Sequence, residues 1–272
     1  MGCDFSSSPS KRKPIVLAIG LVQRGTVVLD RLAQFETLEA FLQFLKHPTP
    51  ESVPCVAGFD LPFGLPRAFV EHMNWPLSWP ECMAKFASHS REELRQFFKA
   101  FCDARPAGSK FAHRATDLPA GSSPSMKWVN PPVAWMMHAG VPLLREAGWT
   151  LPKMLEGDPK RIALEAYPGL LARELIGHRS YKSDDKLKQT PDRWLARKDI
   201  LHGLDMAQSK LGLRLKLSAS QHDNLLADGS GDHLDAVLCM VQAAWAHLQQ
   251  VSNTTPYGLP DFDPLEGWIV SA

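Results

Sequence analysis

Cysteine is scarce. The 272 residues include five, Cys3, Cys55, Cys82, Cys102 and Cys239, and no Cys-x-x-Cys pair. An odd, scattered set excludes a disulfide framework and reads as reduced thiols filling the core of a cytoplasmic protein. Long apolar runs are missing too: no stretch approaches the roughly 18 residues a membrane-spanning helix needs. The opening Met1-Gly2-Cys3-Asp4-Phe5 lacks a charged segment followed by an apolar one, so no secretory leader is expected. Charge of one sign is absent: the net charge is +1 and the pI about 7.7. No global field draws the chain to nucleic acid or to an anionic membrane, and any nucleic-acid contact must rest on a local patch. There is no Gly-x-Gly-x-x-Gly, no phosphate-loop lysine motif, no His-Glu-x-x-His and no Gly-x-Ser-x-Gly. Dinucleotide, zinc-protease and serine-hydrolase readings lose their usual support.

What is present is an ordinary globular composition, 44% hydrophobic and 22% charged. A chain this long buries a core without metal or disulfide staples. The first half reads as strand-rich. A very short strand over residues 1–5 is followed by a polar turn and a hairpin, Ile15 to Val22 and Thr26 to Phe35 around Arg24-Gly25. Leu38, Phe41, Leu42 and Leu45 recur at helical spacing until His47-Pro48. Val53 to Phe59 is a continuous apolar run that suits a strand buried on both faces. From Arg67 to Glu156 the pattern is mostly helical, interrupted by a Pro-, Gly- and Ser-rich stretch over 105–132 that reads as a long loop. Arg161 to Tyr167 predicts another strand. Helices are then predicted over Leu170–Ile176, Asp192–Leu211, Ser218–Leu226 and Asp232–Gln250, with an edge strand at Gly267–Val270. This order predicts an α/β fold: a mixed sheet with helices on both faces.

Five acidic residues stand out by position. Asp4 and Asp60 end predicted strands, Glu165 lies inside one, and Asp232 and Asp235 share one face of the last helix. A carboxylate in an apolar strand is expensive unless it is paired or bound to a cation. Hard divalent ions take carboxylate oxygens, and two such ions about 3.5–4 Å apart activate water and stabilise the leaving oxygen in phosphodiester cleavage. Each residue also has a plainer reading. Asp232 suits a helix cap, Asp60 a turn, Glu165 a partner for a buried Arg or Lys, and Asp4 a solvated site near the terminus. Asp235 is harder to dismiss: Ala236, Ala243, Ala244 and Ala246 are small enough to let this helix approach the sheet.

Gly2-Cys3-Asp4-Phe5-Ser6, Gly58-Phe59-Asp60-Leu61-Pro62-Phe63-Gly64-Leu65-Pro66, Glu165-Ala166-Tyr167-Pro168, Asp232-His233-Leu234-Asp235-Ala236 and Glu266-Gly267-Trp268-Ile269 follow one another along the chain. In this order they resemble one bacterial and archaeal family of unknown function (number four-two-nine in its series), regarded as RNase H-like nucleases. Arg114-Ala115-Thr116-Asp117 and Tyr181-Lys182 resemble polar patches of the same family. The resemblance implies a ribonuclease H-like fold: a five-stranded mixed sheet flanked by helices, with a helical insertion after the fourth strand. It implies one domain over 1–272, with the insertion at about 67–156. It further implies that Asp4, Asp60, Asp232 and Asp235 bind Mg²⁺ or Mn²⁺, and that these four with Glu165 are the catalytic set. One departure is that only three residues precede Asp4, so the first strand is expected to be clipped or the natural start to lie upstream.

A nuclease must also hold a polyanion. Ser6, Arg114, Lys127 and Lys182 are the expected substrate-binding residues, and residues 179–198 form the best local basic stretch. Lys11-Arg12-Lys13 reads as solvated turn decoration. Trp128, Trp135 and Trp149 suit base stacking or, at helical spacing, a core. The expected function is a metal-dependent nuclease acting on DNA or RNA. The alternatives are a non-catalytic nucleic-acid-binding or scaffold protein of the same fold and an actin-like ATPase.

Overall fold

The computed structural model describes residues 1–48, 53–252 and 255–272. Its strands are β1 (Gly2–Asp4), β2 (Ile15–Gln23), β3 (Thr26–Phe35), β4 (Cys55–Asp60), β5 (Trp149–Thr150), β6 (Asp158–Glu165) and β7 (Arg214–Lys216). Its α-helices are α1 (Leu38–Lys46), α2 (Arg67–His72), α3 (Trp79–Ser88), α4 (Arg91–Asp103), α5 (Asp117–Ala120), α6 (Val133–Glu146), α7 (Pro168–Ile176), α8 (Pro191–Asp205), α9 (Ala219–Ala227) and α10 (Asp232–Ser252). The α/β class and the mixed sheet with helices on both faces are as expected.

The described sheet has seven strands, not five, in the order β5-β6-β4-β1-β2-β3-β7. The two additions are edge strands of two and three residues, too short to show a period of two. Pairing with β6 and β3 makes them strands. The expected strand at 267–270 is instead an isolated bridge, Glu165 to Ile269. The stretch read as loop over 105–132 contains the short helix α5. Helices α2 to α6 fill residues 67–146 between β4 and β5, where helical structure was expected.

Local chemistry explains the main elements. Arg24 and Gly25 both have positive φ, 47° and 76°, the backbone a two-residue hairpin requires to match strand twist. Thr37 caps α1 by accepting the Ala40 amide at 3.1 Å. Ser90 and Glu93 form a reciprocal capping box on α4.

Alternation along the strands sorts side chains onto two faces. Cys3, Ile15, Leu17, Ala57, Phe59 and Ala163 join the core under α1 and the inserted helices. Val16, Ala18, Val27 and Leu29 face the other way, into the core built with α7 to α10. Trp135 and Trp149 are buried in the first core, and Trp128 stacks on Phe98 at 5.8 Å. The three tryptophans therefore fill the interior. No helix among the described residues is long and apolar enough to cross a membrane.

Candidate functional site: three carboxylates at the sheet–helix junction

β1 and β4 run parallel, with Gly2 opposite Gly58 and Asp4 opposite Asp60. Residues two apart share a face, so both glycines and both aspartates point toward α10. The glycines matter because they lack a Cβ. A methyl at Gly2 would lie 2.0 Å from the Met240 nitrogen, and one at Gly58 2.7 Å from the Cys239 carbonyl oxygen. α10 therefore lies directly on bare strand backbone. Four residues back along a helix is about 6 Å, and two residues forward along a strand is about 6.6 Å. The step from Cys239 to Asp235 thus matches the step from Gly58 to Asp60, and Asp235 comes down beside Asp4 and Asp60.

One carboxylate oxygen from each of Asp4, Asp60 and Asp235 lies within 4.8 Å of the others. Asp4 is 9% exposed and Asp235 fully buried. Asp235 is well served: its Oδ1 accepts the Tyr181 hydroxyl at 2.6 Å, and its Oδ2 accepts the Lys182 ammonium. The carboxylates of Asp4 and Asp60 make no hydrogen bond or ion pair with any described residue.

The electrostatics follow. Burial, reinforced by Asp235 and Asp232, pushes the Asp4 carboxyl well above the usual carboxylate range. Burial raises Asp60 to about 7 despite the opposing charge of Lys182. Asp235 is also raised by burial, with Lys182 and Tyr181 working against the shift. The cluster carries more negative charge than its surroundings neutralise.

Asp232 lies outside this three-carboxylate set. Its Oδ1 accepts Lys13 Nζ at 2.7 Å, and Lys13 also reaches Asp184 at 2.7 Å. Asp232 is not the cap of its helix either: Asp228 accepts the His233 amide at 2.9 Å. Lys13, read as decoration in the sequence, is thus the counter-ion of an expected metal ligand.

Glu165 is separated from the cluster by strand parity. It is paired in register with Phe59 rather than Asp60, so it points to the opposite face of the sheet. There it meets Arg114, with Oε1 2.6 Å from Nη2 and Oε2 2.8 Å from Nη1, and it accepts the Phe63 amide at 2.9 Å. This is the pairing with a buried cation that its strand position also allowed. Arg114 is 2% exposed and spends its remaining donors on Asp117 and the Glu266 carbonyl. Expected to hold substrate, Arg114 has every side-chain nitrogen engaged within the protein. It is the centre of a buried ion triad.

A cleft of about 660 Å³ opens over the cluster; Asp4, Asp60, Lys13, Lys182, Tyr167 and Arg173 line it, and the Arg114–Glu165 pair reaches its wall. Ser6 and Lys127 are not among the residues lining it. Arg197, part of the basic stretch, is buried and donates to the Tyr181 and Leu226 carbonyls. Arg179 pairs with Asp199 at 2.7 Å and Lys188 with Asp185 at 3.6 Å, so that stretch is largely neutralised internally.

Sequence reasoning passed over Arg173. Its guanidinium lies 5.2 Å from the Tyr167 ring centroid, and it donates to the Tyr167 hydroxyl and the Ala120 carbonyl. It has no acidic partner among the described residues. No local signal marks it, because its place in the cleft depends on how α7 packs beside α5. No protein-family model, no curated protein and no solved structure matches this chain.

Proposed function

We propose that this protein is a divalent-metal-dependent phosphodiesterase acting on nucleic acid, a member of the RNase H-like family that its motifs resemble. The observation that carries the reading is the meeting of Asp4, Asp60 and Asp235: Asp4 and Asp60 line a cleft without a protein partner among the described residues, and Asp235 is buried behind them. The donor set fits Mg²⁺ or Mn²⁺: the clustered groups offer carboxylate oxygens only, and among the described residues Asp4 and Asp60 have no cationic side chain paired with them. The central strands support the fold assignment. β1 lies between antiparallel β2 and parallel β4, and the carboxylates sit at the end of β1, on its neighbour and on the last helix. Five free, buried thiols support a reducing, cytoplasmic setting.

Asp4 and Asp60 would hold the cation beside the Asp235 carboxylate, and when bound it would activate a water and stabilise the leaving oxygen of a phosphodiester. The chain supplies the rest. Glycine-floored packing fixes Asp235 over the two strand carboxylates. Tyr181 and Lys182 hold the Asp235 carboxylate in place. Arg173 and Lys182 present positive charge to an anionic substrate entering the cleft. Asp60, raised to about 7 in the metal-free protein, would give up its proton as the cation binds.

The test is a calorimetric Mn²⁺ titration of wild type and Asp4→Asn, followed by a screen of DNA and RNA substrates. The reading requires binding that the substitution removes and Mn²⁺-dependent cleavage by wild type alone. A wild-type protein that binds no metal would favour the non-catalytic scaffold.

A further inference from the structure

Of the four aspartates expected to bind metal, Asp4 and Asp60 line the cleft and Asp232 and Asp235 do not, and the four are not equally available. Asp232 is occupied by Lys13 at 2.7 Å. Both oxygens of Asp235 are occupied, one by the Tyr181 hydroxyl and one by the Lys182 ammonium. Only Asp4 and Asp60 are without protein partners, and Asp4 is nine-tenths buried and aimed into the cleft. The immediate charge is three carboxylates against one ammonium, a deficit of two positive charges.

Lys182 is not a surface lysine that happens to reach inward. Its side chain is 41% exposed, yet its stem is fixed. Gly231, at φ +79°, offers bare backbone on which that stem lies: a methyl there would sit 2.6 Å from Lys182 Cβ and 3.0 Å from Cδ. The residues on either side are pinned as well. The Tyr181 carbonyl accepts Arg197 Nη1 at 2.7 Å, and the Ser183 amide donates to the Gly229 carbonyl at 3.0 Å. The segment 181–183 is thereby laced to the start of α10, with the ammonium seated on Asp235.

We propose that this site takes one divalent cation rather than two, because the Lys182 ammonium holds against Asp235 the place a second ion would need. The inference rests on the metal-dependent reading above and specifies it. One divalent ion on Asp4 and Asp60 cancels the residual charge of the cluster. A second ion would have to displace the ammonium or sit beside it, and like charges at that spacing repel strongly in a partly buried pocket. Lys182 then supplies a fixed positive charge at the cleft floor in the second ion's stead.

The experiment counts ions directly. The metal-stripped full-length chain is titrated with Mn²⁺ at pH 8, free Mn²⁺ is followed by electron paramagnetic resonance, and heats are measured in parallel. Wild type and Lys182→Arg should saturate at one ion per chain. Lys182→Met, which keeps the stem on Gly231 but removes the charge, should take a second ion or bind the first at least tenfold more tightly. Two ions on wild type would overturn the inference, as would Lys182→Met with wild-type count and affinity. If Lys182→Met loses its circular-dichroism signature of folding, the wild-type count still decides. No Mn²⁺ binding by wild type is a separate outcome: it removes the metal-dependent reading itself, and the inference with it.

Discussion

Gly58 lies under the Cys239 carbonyl so closely that a single methyl there would come within 2.7 Å of its oxygen and 3.0 Å of Ala166 Cβ. Both neighbours are held, one by α10 and one by the end of β6. A side chain at 58 must therefore push the helix off the sheet. Overpacking of this kind costs about 1–3 kcal/mol. Gly58→Ala should lower stability to denaturant by that amount and weaken Mn²⁺ binding, because Asp235 moves with the helix. Unchanged stability and unchanged metal affinity would show that the glycine contact does not set the site.

The Arg114 triad predicts a stability effect of a different kind. Arg114 and its carboxylate partners Asp117 and Glu165 are buried, and burial of Glu165 already raises its pKa against the pull of Arg114. Removing the guanidinium leaves two buried carboxylates unpaired, a loss of about 3–5 kcal/mol. Arg114→Met should be strongly destabilised in urea. A stable Arg114→Met that had lost only substrate affinity would make Arg114 a binding residue rather than a structural one.

Asp60 gives a pH dependence with a definite sign. Its carboxyl moves from the ordinary 3.8 to about 7 on folding. Below the unfolded value both states hold the proton and the group costs nothing. As pH rises toward 7 the unfolded chain ionises first, so the native state loses stability across that window and gains none back above it. The wild-type minus Asp60→Asn difference in unfolding free energy should therefore fall between about pH 4 and pH 7 in metal-free buffer. A flat difference curve would refute the shift. Divalent ions compete with the same proton, so Mn²⁺ affinity of wild type should rise through pH 7.

Asp4 should behave as a group that stability alone does not favour. Its carboxylate is nine-tenths buried and unpartnered. Asp4→Asn removes a charge that the fold penalises, so the metal-free variant should melt higher than wild type, each kcal/mol being worth roughly 2–4 °C in a large domain. Saturating Mn²⁺ should raise the wild-type melting temperature and leave that of the variant unchanged. A variant that melts lower than metal-free wild type would mean that Asp4 has a structural partner.

Among the described residues, Arg173 is the cation of the cleft without an acidic partner. A charge-assisted hydrogen bond to a substrate phosphate is worth about 1.5–3 kcal/mol. Arg173→Gln should weaken binding of a labelled single-stranded oligonucleotide by about tenfold or more, while leaving Mn²⁺ affinity intact. Loss of both together would indicate that the substitution disturbs α7 rather than a ligand contact.

Much of this protein was legible in the sequence, because the signals are local. Alternating and continuous apolar runs marked β2, β3, β4 and β6, and helical patterns marked α1 and α10. Asp4, Asp60 and Asp235 were singled out because a carboxylate at the end or edge of an apolar element demands a compensating charge. What the sequence could not decide was parity and company. Glu165 stands in as apolar a strand as Asp60, but register sets it opposite Phe59, and it faces Arg114 rather than the cluster. Asp232 shares a helix face with Asp235, yet Lys13, 219 residues away, occupies it. Arg114 is as basic as Lys182 in sequence, but Arg114 is buried with every side-chain nitrogen engaged, while the Lys182 side chain is 41% exposed. The short edge strands β5 and β7 exist only because neighbours offer them a ladder. Residue type and spacing fix which groups need a partner. Only the tertiary structure, through strand register and the glycine-floored approach of α10, decides which partner each one receives.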